Sequence, residues 1–519
     1  MPIIKLRDIG SRGLIKDVDA HDVPDGWMTD AQDVRFSARG ILRYPTSALK
    51  YTASGAVWMS SCDRGSTGGS VFYASPTALY VTDGSGGLAN ASRTSPAYTQ
   101  DSDWHSEVYG KSMLFNNASN IPQIIEPGDA QFGNLANWPA TTFAKVIRVY
   151  KNFFVALNLQ EGGIEKTNVL MWSDAAYNNG VPPNWDYNDP TSLSAQATIG
   201  AGDGQLVDAK VMGDQLIIYT EFSAHSMQFV GGNFVMQFRE LFKFGALNRD
   251  CVGVFDKRHF VVGRDHIYVH DGVNVKRVGE GRVERAIYAD ILDPDTVRVA
   301  MNPSAYEATI YFQSTEEGNP HVGWIWNWTY DTWTRVTLAT GTLCLHYGPS
   351  ESQYTQWSDL QTDGTLWSTA PPATWGSWSG KRAQQVMFEM TGSAINIAEF
   401  NYDADAYLPY KVSKISRRGI DMDAIPEISS DNIKYISRIY PIMTGDSIAV
   451  VSWRFGSSQS PDGDITWTPW AEYQVQGGVK VDTRITGRYL AFEMECPASV
   501  AGGWGLTGLD IDVRTAGLR

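Results

Sequence analysis

A chain of 519 residues and 57.3 kDa is too long for one ordinary core and predicts two or three domains. A net charge of −15 and a pI near 5.0 exclude a protein that wraps and grips nucleic acid through a basic surface. Aromatic residues at 12% and 49 glycines, with no run of 15 residues holding a 3.6 period, favour many strands joined by tight turns over a helical bundle.

Residues 1–50 show little periodicity. They read as an extended arm with a short helix or turn near Asp25–Ala31, before strand-like alternation begins at Phe36, Ile41 and Leu42. From residue 51 a scheme of strand, turn, strand, turn recurs. It appears in GSVFYASPTALYVTDG (69–84), in YGKSMLFNNASNIPQIIEPG (109–128), and in AKVIRVYKNFFVALNL (144–159) with NVLMWSD (168–174).

Two further units stand back to back between Asp208 and Gly279. GDQLIIYTE is followed by AHSMQFVGG, and KRHFVVGRD by HIYVHDGVN. Leu216 and Ile218, like Phe260 and Val262, recur at a period of two, which argues strand. Gly231-Gly232 and Asp271-Gly272 are hairpin signals, because glycine accepts the positive φ of tight turns. AYEATIYFQS (305–314) with HVGWIWNWTYDTWTRVTL (321–338) makes a sixth unit. TLCLHYG (342–348) with DGTLWST (363–369) is a partial unit that would close a ring with strands from the start of the chain. A repeat of roughly 40–45 residues is the spacing of propeller blades. Residues 51–380 are therefore expected to form a β-propeller of about six blades. Pro371-Pro372 and TWGSWSGKR (374–382) read as a linker. The stretch 381–519, with longer strands at wider spacing, reads as an antiparallel β-sandwich. With the arm 1–50 it is expected to make a docking platform, giving an all-β chain.

Charge is unevenly spread. Residues 1–50 hold 8 basic and 7 acidic side chains, residues 381–519 hold 14 and 17, and the middle holds 20 and 33. The acidity belongs to the repeats, where it serves solubility of a large β surface or lines a channel.

Candidate chemistry is sparse. SPDGDITWTPW (460–470) approaches the Ser-x-Asp-x-Gly-x-x-Trp box of sialidase-type propellers, but Asp464 stands where that glycine belongs and the segment reads as a hairpin. Paired carboxylates for glycoside hydrolysis would have to come from Asp203, Asp208, Asp214, Glu221, Asp265 and Asp271, all placed at turns, where Asp recurs for its bonds to nearby backbone. GAGDGQ (200–205) lacks the Lys-Ser/Thr of a phosphate loop. His259, His266 and His270 cluster in sequence; an exposed strand is the preferred reading over a metal site. Trp324, Trp326 and Trp328 alternate on one strand face, where packing between blades is preferred over sugar stacking. Cys62, Cys251, Cys344 and Cys496 lie far apart with no metal spacing and read as free thiols of a reducing compartment. No apolar span is long enough for a membrane helix. No cofactor, metal or catalytic residue is assigned, and the protein is expected not to be an enzyme.

An ordered series of blocks resembles the tail nozzle proteins of short-tailed double-stranded DNA phages, the group that includes tail tubular protein B and packaged-DNA stabilisation proteins. The blocks are KDVDAHDVPDGWMTDAQDVRFSARGILR (16–43), VLMWSDAAYNNGVPPNWDY (169–187), GDGQLVDAKVMGDQLIIYTEFSAHSMQFVGG (202–232), GRDHIYVHDGVNVKRVGEGRVERAIYADI (263–291), WNWTYDTWTRV (326–336) and the stretch 433–494. The resemblance implies a non-enzymatic virion protein, assembled in the bacterial host cytoplasm. It implies a ring, usually of six subunits, docked on the head-to-tail adaptor, meeting tail fibres or tip proteins, and conducting or retaining double-stranded DNA through transient, non-specific contact. Acidic turn residues are then expected to face the channel and repel phosphate, with Asp203, Asp208, Asp214, Asp265 and Asp271 as the channel-lining candidates. The rival expectation is a carbohydrate-binding or carbohydrate-degrading tail propeller.

Overall fold

The computed structural model describes residues 3–37, 40–64, 69–82, 87–177, 180–232, 234–315, 321–349, 385–398, 410–422, 428, 432–461, 463–500 and 502–518. Seven four-stranded antiparallel meanders follow one another along the chain. Their first strands are Trp58–Asp63, His105–Tyr109, Thr142–Tyr150, Leu206–Met212, Val252–Phe255, Arg298–Asn302 and Thr342–Pro349. Each of these lies beside the first strand of the next meander, and the seventh returns to the first. The arrangement is a closed seven-bladed β-propeller, numbered here blades 1 to 7 in that order.

Seven blades exceed the expected six because the partial unit is a complete blade. Its first strand, Thr342–Pro349, covers the expected 342–348, but its second and third are Gln385–Thr391 and Ala394–Ala398, beyond the expected boundary at 381. The run 363–369 and the linker 374–382 lie outside the described residues. The fourth strand comes from the other end of the chain: Ala48–Thr52 pairs antiparallel with Ala394–Ala398, Thr52 opposite Ala394 and Ala48 opposite Ile397. The ring is therefore fastened by strands from distant parts of the sequence, and the expected boundary at 50/51 also falls inside this blade.

A blade buries both of its faces, each against a neighbouring blade. This explains why FFVALNLQE (Phe153–Glu161) and QLIIYT (Gln215–Thr220) are buried at nearly every position rather than at alternate ones. Blades 3 and 4 share Val155, Leu157, Leu170, Leu216, Ile218 and Met227. Blades 7 and 1 share Tyr51, Met59, Val71, Tyr73, Phe388 and Ile395. Between blades 5 and 6, Phe260 stacks on Trp326 with ring centroids 5.4 Å apart. Cys62, Cys251, Cys344 and Cys496 are buried free thiols.

The platform is a pair of sheets. In one, Asn432–Gly445 runs between Val481–Gly487 and Trp504–Leu518, and the far edge of Trp504–Leu518 carries both Ile3–Arg7 and Gly40–Arg43, the latter continued by Val34–Ser37. The second is a continuation of blade 6. Its outer strand Thr332–Thr337 meets Asp30–Gln32 through the pair Arg335–Gln32, and Ser413–Ile420, Tyr489–Cys496 and Val450–Ser458 follow in order. Val481–Gly487 alternates buried and exposed along its whole length, the signature of a sheet with one wet face. Inward residues Ile436, Ile485 and Ile511 of one sheet and Trp453, Phe455 and Phe492 of the other belong to a cluster that runs unbroken into Phe260, Trp326 and Trp333 of the propeller. Propeller and platform thus share one core.

The arm 1–50 is woven into this body. Residues 27–28 and 30–32 are strands, not the expected helix or turn. The described residues hold one seven-residue α-helix, Glu284–Asp290, and it contacts the arm through Asp17, whose carboxylate accepts the N–H groups of Arg285 and Ala286. Arg43 is buried and donates to the carbonyls of Val500, Gly502 and Pro497 at 2.7–3.0 Å, tying the arm to the end of the chain.

Replacing Phe388, fully buried at the closing junction of blades 7 and 1, by Ala is expected to cost about 3–5 kcal/mol of unfolding free energy. Urea denaturation checks this; a loss below about 1 kcal/mol would mean that the closing junction is not a tightly packed core.

Candidate functional site

The residues nearest the propeller axis come from the first strands and the connections that lead into them. In blade 3 this strand reads TFAKVIRVY, with Arg148 interrupting an apolar run. Arg148 is 1% exposed at its side chain. Its Nε donates to Asp208 of blade 4 at 2.7 Å, one Nη donates to Asp250, at the entry to blade 5, at 2.8 Å, and Glu107 of blade 2 lies 3.4 Å away. Asp208 is fully buried and also accepts the N–H groups of Ala209 at 2.8 Å and Asp250 at 3.0 Å. Burial alone would pull the guanidinium's pKa down, but Asp208, Asp250 and Glu107 outweigh it and hold the charge. The same balance acts on Asp250: burial raises its pKa, and Arg148 with Arg249 lowers it further than burial raises it.

Around this centre Arg249 pairs with Asp103 at 2.7 Å and Asp250 at 3.3 Å, Lys210 lies 4.0 Å from Glu107, and Arg298 donates to Asn248 at 2.9 Å. Three cations (Arg148, Lys210, Arg249) pair with four carboxylates (Asp103, Glu107, Asp208, Asp250), and Arg298, held by Asn248, adds the fourth positive charge. The axis is therefore a balanced, cross-linked polar core joining blades 2 to 6, and the chain's acidic excess lies elsewhere.

The five channel-lining candidates are not brought together. Asp208 was expected in a turn; it sits in the first strand of blade 4, sealed against Arg148, so it lines no open channel. Asp214 occupies the turn after that strand and pairs at 2.7 Å with Lys151 of the corresponding turn in blade 3. Asp271 occupies the turn after the third strand of blade 5. Its carboxylate accepts the N–H groups of Asn274 at 2.7 Å and Val273 at 3.0 Å, and these bonds, Asn274's first, hold its pKa down to about 2. Asp203 lies in the connection from blade 3 to blade 4 and pairs with Lys243 at 3.0 Å, while Asp265 is exposed between the second and third strands of blade 5. Successive hairpins of a meander open on opposite faces, so Asp214 and Asp271 belong to one face of the propeller and Asp203 and Asp265 to the other. The ion pair Arg264–Glu221 at 2.6 Å, between the second-to-third turns of blades 5 and 4, follows the same rule.

The histidines correct another expectation. His259 and His270 are buried, not on an exposed strand, because blade 4 covers this part of blade 5. Gly272 N–H donates to His270 Nδ1 at 3.2 Å, so His270 carries its proton on Nε2 and donates to the Tyr219 hydroxyl at 2.5 Å. Tyr219 then donates to His259 Nδ1 at 2.7 Å, and His259 Nε2–H to the carbonyl of Val211 at 3.1 Å. The chain fixes both tautomers and uses every ring nitrogen, which leaves no lone pair for a metal. His266 stands apart, 3.6 Å from Glu284. Burial lowers the pKa of His259 to about 4 and of His270 to about 3.

Trp324 and Trp326 are 2% and 5% exposed, and Trp328 packs on Phe255 with centroids 4.7 Å apart. Packing between blades accounts for the tryptophan series. In the 460–470 segment, where residue 462 lies outside the described residues, Gly463 N–H donates to the Ser460 carbonyl at 3.2 Å, and Trp467 and Trp470 clamp the Arg454 guanidinium at 4.7 Å from each ring.

No family model matches the chain, and no curated protein matches it. Among solved structures, the N-terminal domain of Nup159 is similar over 72% of this chain and the whole of that one, at 11% identity and a TM-score of 0.33. At that score the likeness carries no argument, and the propeller is established by the sheet order alone.

Arg148→Met is expected to cost about 3–5 kcal/mol, because Asp208 stays buried without its partner. The double variant Arg148→Met/Asp208→Asn is expected to recover part of that loss. Equal or greater destabilisation of the double variant, read by denaturant midpoint, would rule out Asp208 as the stranded charge.

Stability is also expected to fall with acid. His259, His270 and His346, lowered by burial to about 4, 3 and 4, are neutral in the folded protein at pH 5, whereas unfolded imidazoles near 6.5 take up protons. Depressed folded pKa values stabilise above pH 6.5 and lose that stabilisation as pH falls, by about 2 kcal/mol per imidazole between pH 7 and 5. Asp33 and Glu307, raised by burial, oppose this at the acid end. Unfolding free energies that match at pH 7 and pH 5 would contradict the buried, neutral state of these rings.

Proposed function

We propose that the chain is a structural subunit of the tail nozzle of a short-tailed phage. It forms a ring, six-fold in the expected arrangement, that docks on the head-to-tail adaptor, holds back the packaged genome and conducts double-stranded DNA on ejection. The observation that carries this reading is the platform. Both ends of the chain, 3–43 and 413–518, supply strands to it, and it shares a core and a continuous ten-stranded sheet with blade 6. A subunit that transmits the force of confined DNA to a docking ring benefits from such a body, in which platform and propeller are not linked by a hinge.

The excess acidity supports the reading in a narrower form than the sequence suggested. Ion pairs fill the axial side of blades 2 to 5, so in this reading the DNA path runs between subunits, where one loop face meets the lumen. Either Asp214 and Asp271 or Asp203 and Asp265 can line it, not all four. Six copies of a −15 chain carry −90, and a wall of that sign keeps phosphates from forming the counterion-releasing contacts that would add friction.

The test is imaging of the purified protein with the adaptor ring of the same phage. Rings of this chain seated through the platform are expected. Deleting residues 1–7 removes only the edge strand Ile3–Arg7 and spares the closing strand Ala48–Thr52 and the core residues Leu14 and Met28, so it should abolish seating while the propeller stays folded. Seating that survives the deletion would remove the arm from the dock, and a chain that stays monomeric beside the adaptor would overturn the nozzle reading.

A further inference from the structure

We propose that Asp203, His225 and Glu240 form a binding site for a divalent transition metal of the zinc class, whose place the Lys243 ammonium holds in the metal-free protein. The three come from separate parts of blade 4: the connection into its first strand, the third strand, and the fourth strand, where Glu240 stands directly opposite His225. Each offers one ligand atom, and these atoms lie within 4.8 Å of one another. An ion about 2.1 Å from each needs them only modestly closer. Glu240, 46% exposed at its side chain, has the freedom to close that gap.

The imidazole is prepared for the role. His225 is 7% exposed, and the Ser223 hydroxyl lies 2.8 Å from its Nε2 while also meeting the Thr220 hydroxyl at 2.9 Å. The Ser223 side chain also bonds Asp203, so it links two of the three ligands. One imidazole with two carboxylates suits zinc, whereas calcium and magnesium favour all-oxygen sets.

Lys243 is the competitor. Its Nζ lies 3.0 Å from Asp203 and 3.1 Å from Glu240, and without it the cluster carries two negative charges around a buried imidazole. Its side chain is 61% exposed on a flexible stem, so it can swing into water and release both carboxylates at little cost. A bound ion would brace the connection between blades 3 and 4 against the outer strands of blade 4.

The experiment is titration of the chelator-treated full chain with ZnCl2, followed by calorimetry and thermal unfolding, and with CoCl2, followed by visible absorption. Zinc is expected to raise the unfolding temperature of the unmodified protein and cobalt to give ligand-field bands. Lys243→Met should tighten zinc binding at least tenfold by removing the competing cation. His225→Ala, or Glu240→Gln if the first does not fold, should weaken it at least tenfold. A Lys243→Met protein that binds no zinc, or binding that both ligand variants leave unchanged, would overturn the site. Neither result bears on the nozzle reading.

Discussion

A propeller blade has no core of its own, and the rest of this structure depends on that. Each four-stranded sheet is apolar on both faces and becomes stable only between two others, so the ring must close before any blade is fully buried. Here closure falls to blade 7, built from 342–349, 385–398 and 48–52. Tyr51 from the arm packs with Phe388 and Ile395 from the far side of the ring, so hydrophobic burial along the closing strand does the work of a covalent clasp. The cost is topological. The final contacts join residues more than 300 positions apart, and loop-closure entropy opposes them until most of the ring is in place.

The same closure creates the need for the axial ion pairs. Seven first strands converge on a centre too narrow for large side chains from each, yet polar groups there are withdrawn from water. Arg148 resolves this by spending all three of its nitrogens on neighbours, toward Asp208, Asp250, Glu107 and the local backbone. Its planar fork allows one cation to bridge blades 2, 3, 4 and 5, which a lysine could not do. Such a cluster adds little net stability compared with an apolar plug of the same shape, but it fixes the blades in one register, since a slip of one residue would strand a charge.

What was legible in the sequence follows from what is local. Hairpins announced themselves through Gly231-Gly232 and Asp271-Gly272, whose glycines do take positive φ of 68–89°. The tryptophan series read as packing because Trp324 and Trp326 stand in a strand of alternating bulk. Non-local features were hidden. Val386–Met390 looked like a sandwich strand because its partner lies across 35 intervening residues, 350–384. Closure of the ring by strands from the start of the chain was expected, but nothing in 48–52 singled out Ala394–Ala398 as the partner. Asp208 was misplaced because Asp is so often a turn residue, and the clue that would have corrected it is Arg148: a cation inside VIRVY requires a buried carboxylate somewhere. Asp203 was picked out for its charge, but its neighbours His225 and Glu240 lie 22 and 37 residues further on and meet it only because the four strands of blade 4 fold back on one another.

The join between platform and propeller explains why the arm cannot be a loose tether. Arg35 of the arm pairs with Glu307 of blade 6 at a site where Glu307 is 3% exposed, and burial raises that carboxyl's pKa against the pull of Arg35. Asp33 accepts the Thr337 N–H at 2.8 Å beside it. Buried charges of this kind hold only when their partners are fixed, so the arm and blade 6 order each other. Through Arg43 the arm is fixed in turn to the carbonyls of 497–502, and through Ile3–Arg7 to the long final strand. Displacing the final strand would therefore loosen the arm, and loosening the arm would expose Glu307 inside blade 6. Force applied to the platform reaches the propeller along this path of strands and ion pairs, and the blade 5–6 core of Phe260, Trp326 and Trp333 lies directly behind it.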